Sequence, residues 1–204
     1  MLDPLLPGTP AEVVRAKARL KAFAEMVISW NRTVSNVMSK HDEPRILTRH
    51  LLESLGPAKT MRGHGLESWM DFGSGAGFPA IPLAIAGVGS SWLLVESRRP
   101  KTLFLRKSIE TLELRTVQVE TSRLEVFEAE RRGFDGFTSR ATEGLKRTLE
   151  LAAPRVRTGG MAVLWRGSAR ASEMADAPWQ ADWEPGPVTR LPDSLAEVAE
   201  FTRR

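Results

Sequence analysis

The sequence predicts an α/β fold, a doubly wound and mostly parallel sheet with an N-terminal helical cap, and three observations predict it. Short apolar runs alternate with helix-length segments from residue 69 to residue 165, the order that winds strands into a parallel sheet with helices on both faces. The first run, Trp69-Met70-Asp71-Phe72, opens directly into Gly73-Ser74-Gly75-Ala76-Gly77-Phe78-Pro79. Three glycines at alternate positions let a strand turn sharply into a helix with no side chains over the turn. The run Trp92-Leu93-Leu94-Val95-Glu96 ends in a carboxylate nineteen residues after Gly77, the βαβ spacing at which an acid reaches ligand hydroxyls beside such a loop.

Taken in order, Thr9-Pro10-Ala11-Glu12 reads as a capping box with proline at the first helical position. Behind it Val13, Ala16, Leu20, Phe23, Val27 and Trp30 form one apolar helix face, and Asn31, Ser35 and Asn36 end the helix soon after Trp30. A second helix starts at Asp42-Glu43-Pro44, turns Ile46, Leu47, Leu51, Leu52 and Leu55 inward, and stops at Gly56-Pro57. Residues 1–57 are therefore expected as the cap and 58–204 as one compact core, with Ala58 to Gly65 a boundary loop. Core helices are expected at Ile81 to Ala86, from Pro100 with Leu103, Phe104, Ile109 and Leu112 inward, at Arg123 to Glu130, and at Gly144 to Ala153. The remaining strands are expected at Val117 to Glu120, Phe134 to Thr138 and Gly160 to Trp165, with edge strands at Trp183 to Val188 and Val198 to Thr202. In such a sheet the ligand lies at the carboxyl ends of the strands.

The 204 residues, 42% hydrophobic and 26% charged, suit one well-cored globular domain. No apolar run has the length of a membrane span, and Met1-Leu2-Asp3-Pro4 lacks the layout of a signal peptide, so a cytoplasmic protein without membrane contact is expected. The absence of cysteine excludes disulfides, thiolate metal sites and a cysteine nucleophile. His41, His50 and His64 are scattered without metal-ligand spacing. A formal charge of +4 permits an RNA partner without demanding one.

Distribution of that charge matters more than the total. Arg123, Arg140 and Arg166 each fall just after a core strand. Guanidinium groups there can bind RNA phosphate or orient a base by forked hydrogen bonds and stacking, or they can pair with carboxylates such as Glu125 and Glu143. Arg98, Arg99, Lys101, Lys146 and Arg147 would widen a positive footprint.

A dinucleotide fingerprint would require glycine where Phe78 stands. The spacing resembles instead the G-x-G-x-G loop of S-adenosylmethionine-dependent methyltransferases, with Glu96 placed to accept from both ribose hydroxyls. Taken one at a time, a plain tight turn and a solvated strand end remain open readings of these two features. A longer set of motifs is more discriminating. It comprises Trp30-Asn31, Thr48-Arg49-His50, Asp71-Phe72-Gly73-Ser74-Gly75-Ala76-Gly77-Phe78-Pro79-Ala80-Ile81-Pro82-Leu83-Ala84, Val95-Glu96-Ser97, Ser122-Arg123, Phe134-Asp135, Thr138-Ser139-Arg140-Ala141, Gly159-Gly160 and Arg166-Gly167. In this order they resemble the bacterial 16S ribosomal RNA guanine-N7 methyltransferase family, also called ribosomal small subunit methyltransferase G or glucose-inhibited division protein B.

That resemblance implies a Rossmann-like class I methyltransferase core and a monomer. It implies S-adenosylmethionine as cofactor with no metal, small-subunit ribosomal RNA or the 30S subunit as partner, and methylation of a guanine N7 in the decoding-region 530 loop. Carried over by position, Gly73, Gly75, Phe78, Glu96, Leu124, Glu125 and Arg140 would surround the cofactor, with Ser74 and Gly77 completing its loop. Arg49, His50, Arg123, Arg140 and Arg166 would face RNA, and Arg123, Arg140 and Arg166 are nominated as catalytic. The chain departs from the family at Arg166, where lysine is usual, and at Val34-Ser35-Asn36-Val37 in place of Asn-Leu-Thr. Its tail also lacks the Arg-His closing strand.

Guanine N7 is an acceptor without a proton, so its methylation needs no general base and no carboxylate is nominated. Without cysteine the covalent route to pyrimidine C5 is closed, and neither tyrosine nor an Asp/Asn-Pro-Pro-Tyr/Phe segment is present. Two rivals remain: a small-molecule methyltransferase whose arginines are salt-bridged surface, and a non-catalytic ribosome-associated module with a vestigial nucleotide fold.

Overall fold

The computed structural model describes residues 2–127, 133–140, 144–166, 178–192, 194 and 196–204. Thr9 caps the first helix, α1 (Pro10–Thr33), through the reciprocal box: its N–H donates to Glu12 Oε2 at 2.6 Å while Glu12 N–H donates back to its hydroxyl. Leu20, Phe23 and Val27 are fully buried on the inward face. The expected second helix is one continuous path of three geometries. A 3-10 segment at Lys40–Arg45 runs into a π-helical turn at Ile46–Leu51 and then into α2 (Leu52–Leu55). The wider turn rotates the apolar stripe, so Leu47 is 57% exposed instead of inward and Glu53 is buried in its place. Ala58 to Gly65 is not a plain loop, since α3 occupies Ala58–Gly63 with Ala58 and Met61 fully buried.

The sheet follows: β1 (Ser68–Phe72), α4 (Ala80–Ile85), β2 (Ser91–Glu96), α5 (Arg99–Thr111), β3 (Val117–Thr121), β4 (Phe134–Arg140), α6 (Leu145–Ala152), β5 (Val156–Arg166), β6 (Trp183–Arg190) and β7 (Glu197–Arg203). Strand order is β3-β2-β1-β4-β5-β7-β6. The first five strands are parallel, and β7 inserts antiparallel between β5 and β6. Thus β6 is an edge as expected, but β7 is interior, which is why Phe201 is fully buried. Alternate residues feed two cores. Trp69, Trp92 and Leu94 join Phe23 and Phe104 on the cap side, while Met70, Leu93, Val95 and Phe137 join Leu149 and Phe201 on the other. Cap and core thus share one apolar cluster.

Three further expectations are corrected. On α5 the buried stripe runs through Thr102, Phe104, Leu105 and Ser108, and Leu103 is 52% exposed; two small polar residues complete a face that apolar periodicity alone misplaces. Residues 123–127 form a single turn rather than the start of a helix, with Val126 and Phe127 N–H both donating to Arg123 O. The buried Arg155 guanidinium holds it there, donating to the carbonyls of Leu124 and Phe127 at 2.5 and 2.9 Å; residues 128–130 lie outside the described residues. Finally, Arg140 and Arg166 are the last residues of β4 and β5, not residues beyond them. Among the described residues no helix is long and apolar enough to cross a membrane.

Phe23 is the main apolar tie between cap and core, its ring centroid 5.1 Å from that of Phe78 and 6.4 Å from that of Phe104. Phe23→Ala is expected to cost about 3–5 kcal/mol of unfolding free energy, read as a lowered urea midpoint; an unchanged midpoint would show that the cap contributes nothing to the core.

Candidate functional site

Pairing register lines up one row across the carboxyl rim of the sheet. Thr121 lies opposite Glu96, and Arg140 opposite Trp165. Phe72, flanked by Val95 and Ser139, is followed directly by Gly73. From β3 to β5 the row therefore reads Thr121, Glu96, Gly73, Arg140, Trp165. Arg123 follows β3, and two strands, β2 and β1, separate β3 from β4. The three arginines thus form no single cluster: Arg140 and Arg166 end adjacent strands, and Arg123 stands beyond Glu96.

The glycine loop is stitched to β2 by its backbone. Gly73 N–H and Ser74 N–H both donate to Val95 O, at 2.9 and 3.2 Å, and Gly75 N–H donates to Glu96 Oε2 at 3.0 Å. The other oxygen, Glu96 Oε1, accepts from Arg98 N–H at 2.8 Å. A carboxylate offers about four acceptor positions, so Glu96 keeps capacity for two further donors. Gly73, Gly75 and Gly77 all have positive φ, at 68°, 56° and 88°, a region that side chains disfavour. Their surroundings differ. A Cβ on Gly77 would lie 2.6 Å from Ile81 Cδ1 and 3.1 Å from Phe23 Cζ, so that glycine makes room for α4 and for the cap. A Cβ on Gly75 would meet nothing nearer than 3.7 Å, leaving open backbone over the rim.

Beneath the loop Asp71 is 1% exposed. Its Oδ1 accepts from Thr138 Oγ1 at 2.6 Å, and its Oδ2 has no partner among the described residues. Burial, opposed by the Thr138 and Ser74 hydroxyls and helped by the Glu96 charge, raises its pKa from the ordinary 3.8 to about 7.

The cap closes one side of the rim. Phe78 is buried between α1 and the π-helical turn, its ring 5.1 Å from Phe23 and 5.2 Å from His50. Burial and then the neighbouring Arg140 charge push the His50 pKa down to about 4, against the opposing pull of Asp42. Its ring is therefore neutral at neutral pH. Arg49 donates to Asp42 Oδ1 at 2.7 Å, and Arg140 donates to Glu53 Oε2 at 2.6 Å, so Arg140 pairs with the cap. Glu143 lies outside the described residues. Arg123 is exposed with no side-chain partner among the described residues, Arg166 is half-buried and engaged, and Glu125 is exposed. Leu124 is fully buried in the second core, so it offers the rim only backbone.

Sequence reasoning names neither Glu53, Asp42, Arg155 nor Ser194 as part of this site, and it mentions Asp71 only within the first strand run and the family motif. A charged residue inside Leu51-Leu52-Glu53-Ser54-Leu55 is the one signal that could have flagged Glu53. Of the six buried side-chain polar atoms without partners among the described residues, three belong to His50, Asp71 and Arg140 at or beside this rim. Together with the bare loop and the residual capacity of Glu96, the orphan atoms of His50 and Arg140 suit a small polar ligand. No group of three or more His, Asp and Glu side chains among the described residues could hold a metal ion.

Known proteins resemble this chain in sequence and in fold. A family model described as rRNA small subunit methyltransferase G (GidB) matches residues 16–197. The chain is 34% identical over 163 residues to the ribosomal RNA small subunit methyltransferase G of Chromohalobacter salexigens, covering 80% of this chain and 76% of that one. It is 33% identical over 174 residues to the same-named protein of Xanthomonas axonopodis pv. citri, covering 85% and 79%. Among solved structures it resembles magnesium protoporphyrin IX methyltransferase from Synechocystis PCC 6803 with bound SAM, with a TM-score of 0.64 at 12% identity, covering 93% of this chain and 97% of that chain. A putative methyltransferase, yhhF, from Escherichia coli gives a TM-score of 0.60 at 15% identity, covering 77% and 87%. At these identities the two structures speak for the fold alone.

Because the folded state holds the Asp71 proton more tightly than the unfolded chain does, stability falls as pH rises from about 4 to about 7 and is then flat. Asp71→Asn, which fixes the uncharged form, is expected to remove that fall and to gain on the order of 2–4 kcal/mol relative to wild type at pH 8. Urea unfolding across that range checks it, and parallel pH profiles for the two proteins would show that Asp71 is not held protonated.

Proposed function

The chain belongs to the rRNA small subunit methyltransferase G family, and from that premise we propose that it transfers a methyl group from S-adenosylmethionine to N7 of a guanine in the 530 loop of 16S ribosomal RNA. The observation that carries the reading is the pairing of Gly75 N–H with Glu96 Oε2, which holds a bare loop beside a strand-tip carboxylate. The cofactor supplies an electrophilic methyl group on a sulfonium. Gly73, Ser74, Gly75 and Gly77 give it a floor of backbone, and the remaining acceptor positions of Glu96 take its ribose hydroxyls. Leu124 and Glu125 bound it from the β3 side through the turn that Arg155 holds, and Phe78 and Arg140 bound it from the cap side.

Guanine N7 attacks with a lone pair and loses no proton, so the residues facing it need only align it and exclude water. Arg123, Arg166, Arg49 and His50 face the RNA in this reading, the guanidinium groups holding phosphate or base edges. A neutral His50 ring, backed by the buried Phe78, offers a flat surface against a splayed base. Positive charge moves from sulfur to the base, and no carboxylate is required to receive it. The enzyme would act as a cytoplasmic monomer on RNA or the 30S subunit. The pairs Arg140–Glu53 and Arg49–Asp42 also favour a second reading, a small-molecule methyltransferase whose arginines are internally neutralised.

Incubation with labelled S-adenosylmethionine and unmethylated 30S subunits is expected to label one guanine, mapped by mass spectrometry as N7-methylated. Saturable cofactor binding without any transfer to RNA would instead support the second reading, and no cofactor binding would support a vestigial module. Arg123→Ala is expected to weaken RNA binding and reduce the slope of log affinity against log salt by about 1. An unchanged slope would remove Arg123 from the RNA interface.

A further inference from the structure

Glu53 belongs to the cap, yet each of its oxygen acceptors is engaged by a different element of the core. Its backbone carbonyl accepts from Trp165 Nε1 on β5 at 2.7 Å, its Oε1 from Ser194 Oγ in the β6–β7 connection at 2.5 Å, and its Oε2 from Arg140 Nη2 at the end of β4 at 2.6 Å. The side chains of Glu53 and Arg140 are only 8% and 14% exposed. Ser194 is itself anchored, its hydroxyl accepting from Ala196 N–H at 3.0 Å. Beside it, Leu191 lies so close to Gly56 that a Cβ there would come within 2.5 Å of Leu191 Cδ2, seating the connection on the cap.

The consequence falls on Arg140. A guanidinium is a rigid planar fork, so fixing Nη2 aims the rest of the group. Its Nη1 is buried and has no hydrogen-bond partner among the described residues. An ion pair of this burial is a poor source of stability, and the unsatisfied buried donor adds a cost that a ligand acceptor at Nη1 would remove. In the rim row Arg140 stands next to Gly73, with Glu96 one strand further. A guanidinium so enclosed is closed to a phosphate backbone. The acceptor that fits it is a small anion lying on the glycine loop, and the carboxylate is the anionic group of S-adenosylmethionine.

We propose that Glu53 is the positioning residue for Arg140, fixing it so that Nη1 donates to the carboxylate of the methyl donor, and that the donor site is complete only while the cap is docked on the sheet. The proposal rests on the reading of this rim as the S-adenosylmethionine site. A double-mutant cycle on cofactor affinity tests it, using isothermal titration of S-adenosylmethionine into wild type, Glu53→Gln, Arg140→Ala and the double variant. Glu53→Gln is expected to weaken binding about tenfold in the wild-type background and less than about twofold when Arg140 is already alanine.

Equal weakening in both backgrounds would overturn the proposal, leaving Glu53 a purely structural residue, as would no weakening in either. Wild-type affinity in Arg140→Ala would also overturn it, by removing the group through which Glu53 acts. A wild-type protein that binds no S-adenosylmethionine would instead bring down the rim reading itself, a separate and recognisable failure. If Glu53→Gln does not fold, Ser194→Ala strips only the donor on Oε1. It is expected to weaken binding about threefold with Arg140 present and not at all without it, and an equal effect in both backgrounds overturns the proposal in the same way.

Discussion

A single carboxylate, Glu96, accepts from the amide of Gly75 in the loop after β1 and from the amide of Arg98 at the start of α5, and the rim of the sheet is arranged around that pair of bonds. A loop with no side chains over it has little to pack with, so its position must come from its backbone. Here the β2 end supplies the partners: Val95 O takes two amides of the loop and Glu96 takes a third. The loop is in effect a continuation of the β1–β2 ladder beyond its last paired residues. Placing an acid at that point also imposes a cost one row deeper, because the Glu96 charge adds to the burial that raises the Asp71 pKa.

The cap completes the rim rather than decorating it. Gly77 has no side chain to clash with Ile81 and Phe23, Phe78 is wedged between Phe23 and His50, and Glu53 reaches Arg140. Apolar contact supplies the driving force of this docking, since cap and sheet share one continuous cluster. The polar contacts supply direction. Charge at the junction is nearly balanced, with Asp42 facing Arg49 and Glu53 facing Arg140, while the exposed Arg123 stands across the rim beyond Glu96. Enclosed, neutralised donors on one side and a solvent-facing cation on the other suit a crevice where a small ligand lies within and a polyanion outside.

How much of this the sequence discloses depends on the range of the interactions. The glycine loop, the acid ending β2, the capping box of α1 and the positions of β1 to β5 along the chain are written in residues close together, and all are found where local chemistry puts them. The turn at 123–127 is not, because the residue that holds it, Arg155, lies 28 residues beyond Phe127 and 31 beyond Leu124. Nor is the role of Glu53, whose partners Arg140, Trp165 and Ser194 are 87, 112 and 141 residues away. Leu47 and Leu103 mislead for a related reason: a π-helical turn and a pair of buried small polar residues shift the inward face away from the one that apolar spacing indicates. The insertion of β7 beside β5 is a property of the whole sheet, and no short stretch carries it.

What remains is whether the space over Gly73 and Gly75 holds the ligand for which its backbone is shaped. The most direct measurement is a crystal structure of this chain with S-adenosylhomocysteine, the demethylated cofactor. The ligand is expected over Gly73 and Gly75, with both ribose hydroxyls on Glu96 while that side chain keeps its bond to the Gly75 amide. A ligand bound elsewhere, or a Glu96 turned away from the ribose, would contradict the assignment of this rim as a methyl-donor site.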